Sequence, residues 1–136
     1  MPTHFHLILR QLTDNGISIF MQNTLNSYSR YFNIKHNRKG PLWQGRFKSV
    51  LIKTEEQLLH LTRYIHLNPV TAYLVERSEE WPSSSYKEFL SDNDDGEKIC
   101  RFRDILDIEP LSYREFVNDA VSYERELAKI KRLLLE

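Results

Sequence analysis

One cysteine in 136 residues, Cys100, leaves no internal disulfide to staple the fold, which agrees with a reducing compartment and gives the thiol no evident role. No apolar run approaches the length that spans a bilayer, and residues 1–20 lack the basic, apolar and small-residue order of a signal peptide. Repeats and low-complexity tracts are absent, and so is a Gly-rich loop of the kind that cradles the phosphates of ATP. Net charge is zero, with 40% hydrophobic and 28% charged residues. Such a composition argues against disorder and against a membrane protein, so a soluble, cytoplasmic chain is expected. The length allows one domain with a real core and at most a small appendage.

The neutral total hides an asymmetry. Residues 1–77 hold ten Lys/Arg against four acids, a net charge of +6, and the remainder carries the balancing −6. A basic half attracts polyanions, because each phosphate contact releases condensed counterions. Charge pairing between the two halves is the alternative use of the same pattern.

His4-Phe5-His6-Leu7-Ile8-Leu9 alternates in the manner of a strand, and a period of two puts both imidazoles on one face. Two neutral ring nitrogens converging on a point suit a divalent ion such as Mg, Mn or Zn when oxygen ligands complete the set. The bland alternative is two polar residues on a solvated face. Asp14-Asn15-Gly16 then starts a helix expected to run to about Ile34, with Ile17, Phe20, Met21, Leu25, Tyr28, Tyr31 and Phe32 at helical spacing and most of the aromatic stripe directed into a core. A basic loop, 35–41, ends at Gly40-Pro41, and the second part of 42–53 alternates like a further strand.

Thr54-Glu55-Glu56-Gln57 is a capping box, opening a helix expected to reach about Leu67, with Pro69 breaking or kinking it and a short helical piece over Val70–Val75. Trp81 to Tyr86 reads as an anchored turn in which Trp81 and Tyr86 pack. Ser91 to Glu97, polar and acidic, is the best linker in the chain. Beyond it, Ser112-Tyr113-Arg114-Glu115 suggests a second capping box, followed by a helical stripe of Phe116, Ala120, Tyr123, Leu127, Ile130 and Leu134.

Tyr64 and Asn68 stand four residues apart on the helix opened by Thr54 and so share a face. Set against a strand carrying two imidazoles, they would bring a nucleophilic phenol and a third, carboxamide ligand to one place. Each has an ordinary structural alternative: a half-buried packing tyrosine and a helix-ending asparagine.

Met1-Pro2-Thr3-His4-Phe5-His6-Leu7-Ile8-Leu9, Gly40-Pro41-Leu42-Trp43-Gln44-Gly45-Arg46-Phe47, Tyr64-Ile65-His66-Leu67-Asn68-Pro69-Val70 and Trp81-Pro82-Ser83-Ser84-Ser85-Tyr86 together resemble the single-tyrosine HUH transposases, the REP-associated tyrosine transposases above all. The resemblance covers roughly residues 1–90. It implies an α+β fold, a ferredoxin-like antiparallel sheet with helices on one face, for a catalytic and DNA-binding domain at 1–90, followed by an acidic linker and helical extension at 91–136. It also implies an earlier strand, helix and strand ahead of His4, so the domain is expected to be incomplete at its amino end. Thr3 departs from the Asn or Asp common at that place in the motif.

The activity implied is cleavage and rejoining of single-stranded, hairpin-bearing DNA. Tyr64 would attack the scissile phosphate to leave a 5′-phosphotyrosine, and His4, His6 and Asn68 would hold a divalent ion, Mg or Mn. Free phenols, with a pKa near ~10, are poor nucleophiles at neutral pH, so deprotonation must accompany attack. Arg38, Lys39, Arg46 and Lys48 around Trp43 and Phe47 combine phosphate-binding cations with faces on which unpaired bases stack, although Trp43 and Phe47 would also serve to pack a hairpin. His66 is either a polar helper near the site or a satisfied packing residue. The resemblance further implies a nucleoid-associated protein and admits a homodimer. A truncated relative that binds nucleic acid without cleaving it is the alternative function.

Overall fold

The computed structural model describes residues 1–91 and 98–135, the side chains at 129 and 131–135 excepted. Beyond Ser91, the expected acidic linker lies outside the described residues, as does the side chain of Leu134. The described elements are α1 (Gly16–Lys35), α2 (Glu55–Thr71), a 3-10 turn (Ser78–Glu80), α3 (Tyr86–Phe89), α4 (Pro110–Asn118) and α5 (Val121–Leu135).

No β-strand occurs among the described residues, so the expected ferredoxin-like antiparallel sheet is overturned and the fold is helical. The alternating segments at 4–9 and 47–53 are irregular. Alternation states which side chains would share a face; it does not supply the neighbouring chain whose ladder bonds and cross-strand contacts stabilise a strand. Neither segment enters a ladder, and Leu7, Leu12, Val50 and Leu51 are left exposed.

Two compact units divide the chain, Leu7–Leu51 and Met1–His6 with Ile52–Glu136. In the first, Asn15 enters the left-handed region at φ 57° and hands over to Gly16, where a Cβ would meet the Thr13 hydroxyl at 2.8 Å. Of the α1 stripe, Met21 alone is buried, Ile17, Leu25 and Phe32 are half-buried, and Phe20, Tyr28 and Tyr31 are exposed, which corrects the expectation of a core-facing aromatic stripe. The surface expected to cover that stripe was the sheet. The loop after α1 folds back instead: Arg38 donates to Asn33 Oδ1 (3.1 Å) and the Pro41 carbonyl (3.1 Å), Asn33 Nδ2 donates to the Gly40 carbonyl (2.9 Å), and the Trp43 indole N–H donates to the Leu25 carbonyl (3.1 Å).

The second unit holds the main core, built from Leu67, Tyr86, Phe89, Phe102, Leu106, Ile108, Tyr113, Val117 and Ala120. Phe89 and Phe102 stack face to face, centroids 3.7 Å apart. α2 packs against α4 and α5, so residues on both sides of 92–97 share one hydrophobic interior. A side chain of this size contributes about 1.5–3 kcal/mol when fully buried.

Three local details differ from the sequence reading. α2 passes through Pro69 without a break and ends at Thr71, because a proline in the last turn removes only one hydrogen bond of the ladder. The chain then leaves through a Schellman motif, with Leu74 N–H donating to the Pro69 carbonyl (3.0 Å) and Tyr73 N–H to that of Val70 (3.1 Å); Tyr73 takes the left-handed position at φ 57°. No separate helical piece therefore follows over 70–75. The last helix also begins earlier, at Pro110, a residue preadapted to a first turn, and divides in two around Asp119-Ala120.

Candidate active site

Thr54 sets where α2 begins. Its hydroxyl accepts from Gln57 N–H at 3.1 Å, and the Gln57 side chain accepts in return from Lys53 N–H at 2.9 Å. Counting from that start at about 100° per residue, Tyr64 and Asn68 lie close to one line along the helix, whereas His66 is roughly 200° round from Tyr64. Leu58, Thr62, His66 and Val70 line the inner face, and Tyr64 on the outer face is exposed.

Residues 1–6 belong to the same compact unit as α2. The His4 and His6 rings are 5.0 Å apart, edge to face, and the His6 ring is 6.1 Å from that of Tyr64. Three of the four residues expected at the site are thus grouped, even though no strand holds the pair of histidines. Thr3 Oγ1 and His4 Nδ1 are within hydrogen-bond distance, 3.2 Å. Burial, and next the neighbouring His4, lower the His6 pKa below its ordinary value, which favours the neutral ring that a metal requires.

Asn68 sits one turn beyond Tyr64, and its Nδ2 is buried with no hydrogen-bond partner. That orphan is a donor and cannot meet a cation; the ligating atom would be the carboxamide oxygen, and two imidazole nitrogens with one amide oxygen would make a partial set for a divalent ion once phosphate or water oxygens are added. The residues therefore fit the implied ion as a partial ligand set. Among the described residues no group of three or more His, Cys, Asp or Glu could hold a metal, so an ion here would depend on oxygens from outside the protein.

His66 lies in the core, 1% exposed. Its Nδ1 pairs with the Tyr113 hydroxyl at 2.7 Å and its Nε2 with Ser85 Oγ at 2.9 Å, between the rings of Tyr86, Phe89 and Tyr113. Desolvation lowers its pKa to about 4. It is a packed and satisfied histidine, and it is turned away from the face that carries Tyr64. Burial likewise pushes the Tyr86 phenol up to about 12 and the Tyr113 phenol higher still.

The expected DNA-binding residues belong to the other unit. Lys39, Arg46, Phe47 and Lys48 are exposed, Arg38 is occupied in bracing its loop, and Trp43 is half-buried against Tyr28 with centroids 5.8 Å apart. Two further residues on α2 come together, His60, which no sequence motif supports, and Arg63, read only as one of the basic residues; their side chains meet. Their three-residue spacing on a helix was the available signal.

No helix among the described residues is long and apolar enough to cross a membrane. The chain is similar to a protein of Haemophilus influenzae named "Putative REP-associated tyrosine transposase", with 34% identity over 97 residues, covering 63% of this chain and 54% of that protein. The chain thus spans about half the length of the curated relative it matches. No protein-family model and no solved structure matches it.

Proposed function

On the premise that this relative supports the REP-associated tyrosine transposase family for the chain, we propose that the protein cleaves and rejoins single-stranded, hairpin-bearing DNA through Tyr64. The observation that carries the reading is the grouping of an exposed phenol with two imidazoles, Tyr64 to His6 at 6.1 Å and His6 to His4 at 5.0 Å.

In the step proposed, the Tyr64 hydroxyl loses its proton and its oxygen bonds to the phosphorus of the scissile phosphodiester. The bond from phosphorus to the 3′ oxygen breaks, and that oxygen takes up a proton to become a free 3′-hydroxyl, leaving the 5′-phosphate on Tyr64. Attack by a 3′-hydroxyl on the phosphotyrosine reverses the exchange. One phosphodiester is traded for another each time, so no ATP is consumed. His4, His6 and Asn68 are the residues that would hold Mg or Mn, which when bound supplies positive charge to the phosphoryl oxygens as the transition state forms. Tyr64 is exposed on the helix face away from the core, where an extended strand has room to approach.

Incubating the protein with labelled hairpin DNA and Mn or Mg should give a covalent adduct that survives denaturation, and Tyr64→Phe should abolish it. An adduct of equal yield in the variant would refute Tyr64 as the nucleophile. A second reading, a relative that binds DNA without cleaving it, draws support from the irregular backbone that carries His4 and His6, since catalytic ligands need a rigid support. Hairpin binding without adduct in either metal would select it.

A further inference from the structure

We propose that His60, Arg63 and Phe116 form a phosphate clamp beside Tyr64, a subsite for a backbone phosphodiester flanking the one that Tyr64 attacks. The inference rests on the proposed function and names a contact that the sequence motifs do not include.

Arg63 lies with its guanidinium carbon 4.2 Å from the centroid of the Phe116 ring, and the His60 ring lies 5.6 Å from the same centroid. Phe116 comes from α4 and is partly buried against the main core, so both α2 side chains rest on a ring fixed from beneath. Arg63 makes no ion pair among the described residues; its Nη2 is 3.2 Å from His60 Nδ1 instead. That contact decides which ring nitrogen accepts. A guanidinium has donors and no acceptor, so Nδ1 accepts, and the ring N–H left to donate is that of Nε2. The pair offers the remaining Arg63 N–H groups and the His60 Nε2–H, a set composed of donors with one fixed positive charge. Phosphodiester oxygens, anionic and able only to accept, match that set.

Position on the helix supplies the link to the reaction. His60 precedes Tyr64 by four residues and therefore neighbours it on the same face, one turn nearer the amino end, while Asn68 follows Tyr64 by one turn. The order His60, Tyr64, Asn68 runs along α2 at a rise of about 6 Å per four residues, close to the reach between successive phosphates of an extended strand. A strand laid along this face would place one phosphate at Tyr64 and its neighbour at the clamp.

The test measures binding in the Tyr64→Phe background, so that no turnover occurs, using a fluorescein-labelled hairpin oligonucleotide with a single-stranded flank and anisotropy over a range of salt. Arg63→Ala is expected to weaken binding about tenfold and to reduce the slope of log affinity against log salt by about 0.7, the value of one single-strand phosphate contact. Arg63→Lys should keep the slope while losing part of the affinity, because the charge remains and the planar fork does not. His60→Ala should weaken binding severalfold with no change of slope, and His60→Gln, whose amide N–H reaches a similar place, should recover most of that loss. An unchanged slope in a folded Arg63→Ala protein would overturn the clamp. Should Arg63→Ala fail to fold, parent-like affinity in both Arg63→Lys and His60→Ala would overturn it equally. The two ideas separate cleanly: adduct formation by the unaltered chain with no Arg63 contribution removes the clamp alone, and Arg63-dependent binding without any adduct removes strand transfer alone.

Discussion

Acid should destabilise this protein through His66, and by a calculable amount. The ring is 1% exposed, and burial lowers its pKa from 6.5 to about 4. In the unfolded chain it regains its ordinary affinity for a proton. Between those two values the unfolded state therefore binds the proton that the folded state refuses, and stability falls as pH falls. The contribution is fully present above about pH 6.5, declines down to about 4 and levels off below; at about 1.36 kcal/mol per unit, the whole effect is about 3 kcal/mol. That is a large part of the 5–15 kcal/mol typical of a small domain. The groups around the ring sharpen the expectation. Ser85, Tyr86, Phe89 and Tyr113 surround it, both phenols are held neutral, and the charges felt by those phenols are Arg63, Arg114 and Glu79, none of which contacts His66. Urea unfolding followed at a series of pH values in the parent and in His66→Gln would isolate the effect, because Glu79 and the other four histidines are present in both proteins and cancel. The variant should lose stability at neutral pH and gain on the parent by about 3 kcal/mol as pH drops from 6.5 to 4. Parallel curves would refute the argument.

Two further substitutions test the frame that carries the site. Thr54→Ala removes the hydroxyl that receives Gln57 N–H and should cost about 1 kcal/mol, read as a fall in thermal midpoint with the same unfolding cooperativity. Phe102→Ala deletes the ring stacked on Phe89 and should cost about 3–5 kcal/mol, with loss of near-ultraviolet dichroism from the aromatic core. A loss below about 1 kcal/mol would mean that the segment around Phe102 is not part of the core.

Local chemistry was legible in the residues. The Asp14-Asn15-Gly16 start of α1, the Thr54 cap and the shared face of Tyr64 and Asn68 each depend on atoms within a turn of one another, and hydrogen bonds of that range form wherever the side chains permit. The motifs around His4, Tyr64 and Trp81 likewise resembled the family for which the similar Haemophilus influenzae protein is named. What depended on distant atoms was not legible. The alternation at 4–9 and 47–53 described two faces without a pairing partner, and Phe20, Tyr28 and Tyr31 of the α1 stripe, which looked like core, are exposed. His66 looked like a possible neighbour of Tyr64 until Tyr113, 47 residues away, and Ser85 occupied its two nitrogens in the core.

The sequence by itself determined where the helices start, because a cap or a left-handed entry is a short-range event, and which side chains of α2 lie in line, because the helical repeat is set by covalent geometry. Tertiary structure alone decided which of those lines faces the core, that His6 comes within 6.1 Å of Tyr64, and that Phe116 carries both His60 and Arg63. Burial and long-range contact form only when separate segments offset the entropy of meeting, and no single stretch of the chain holds both sides of that balance.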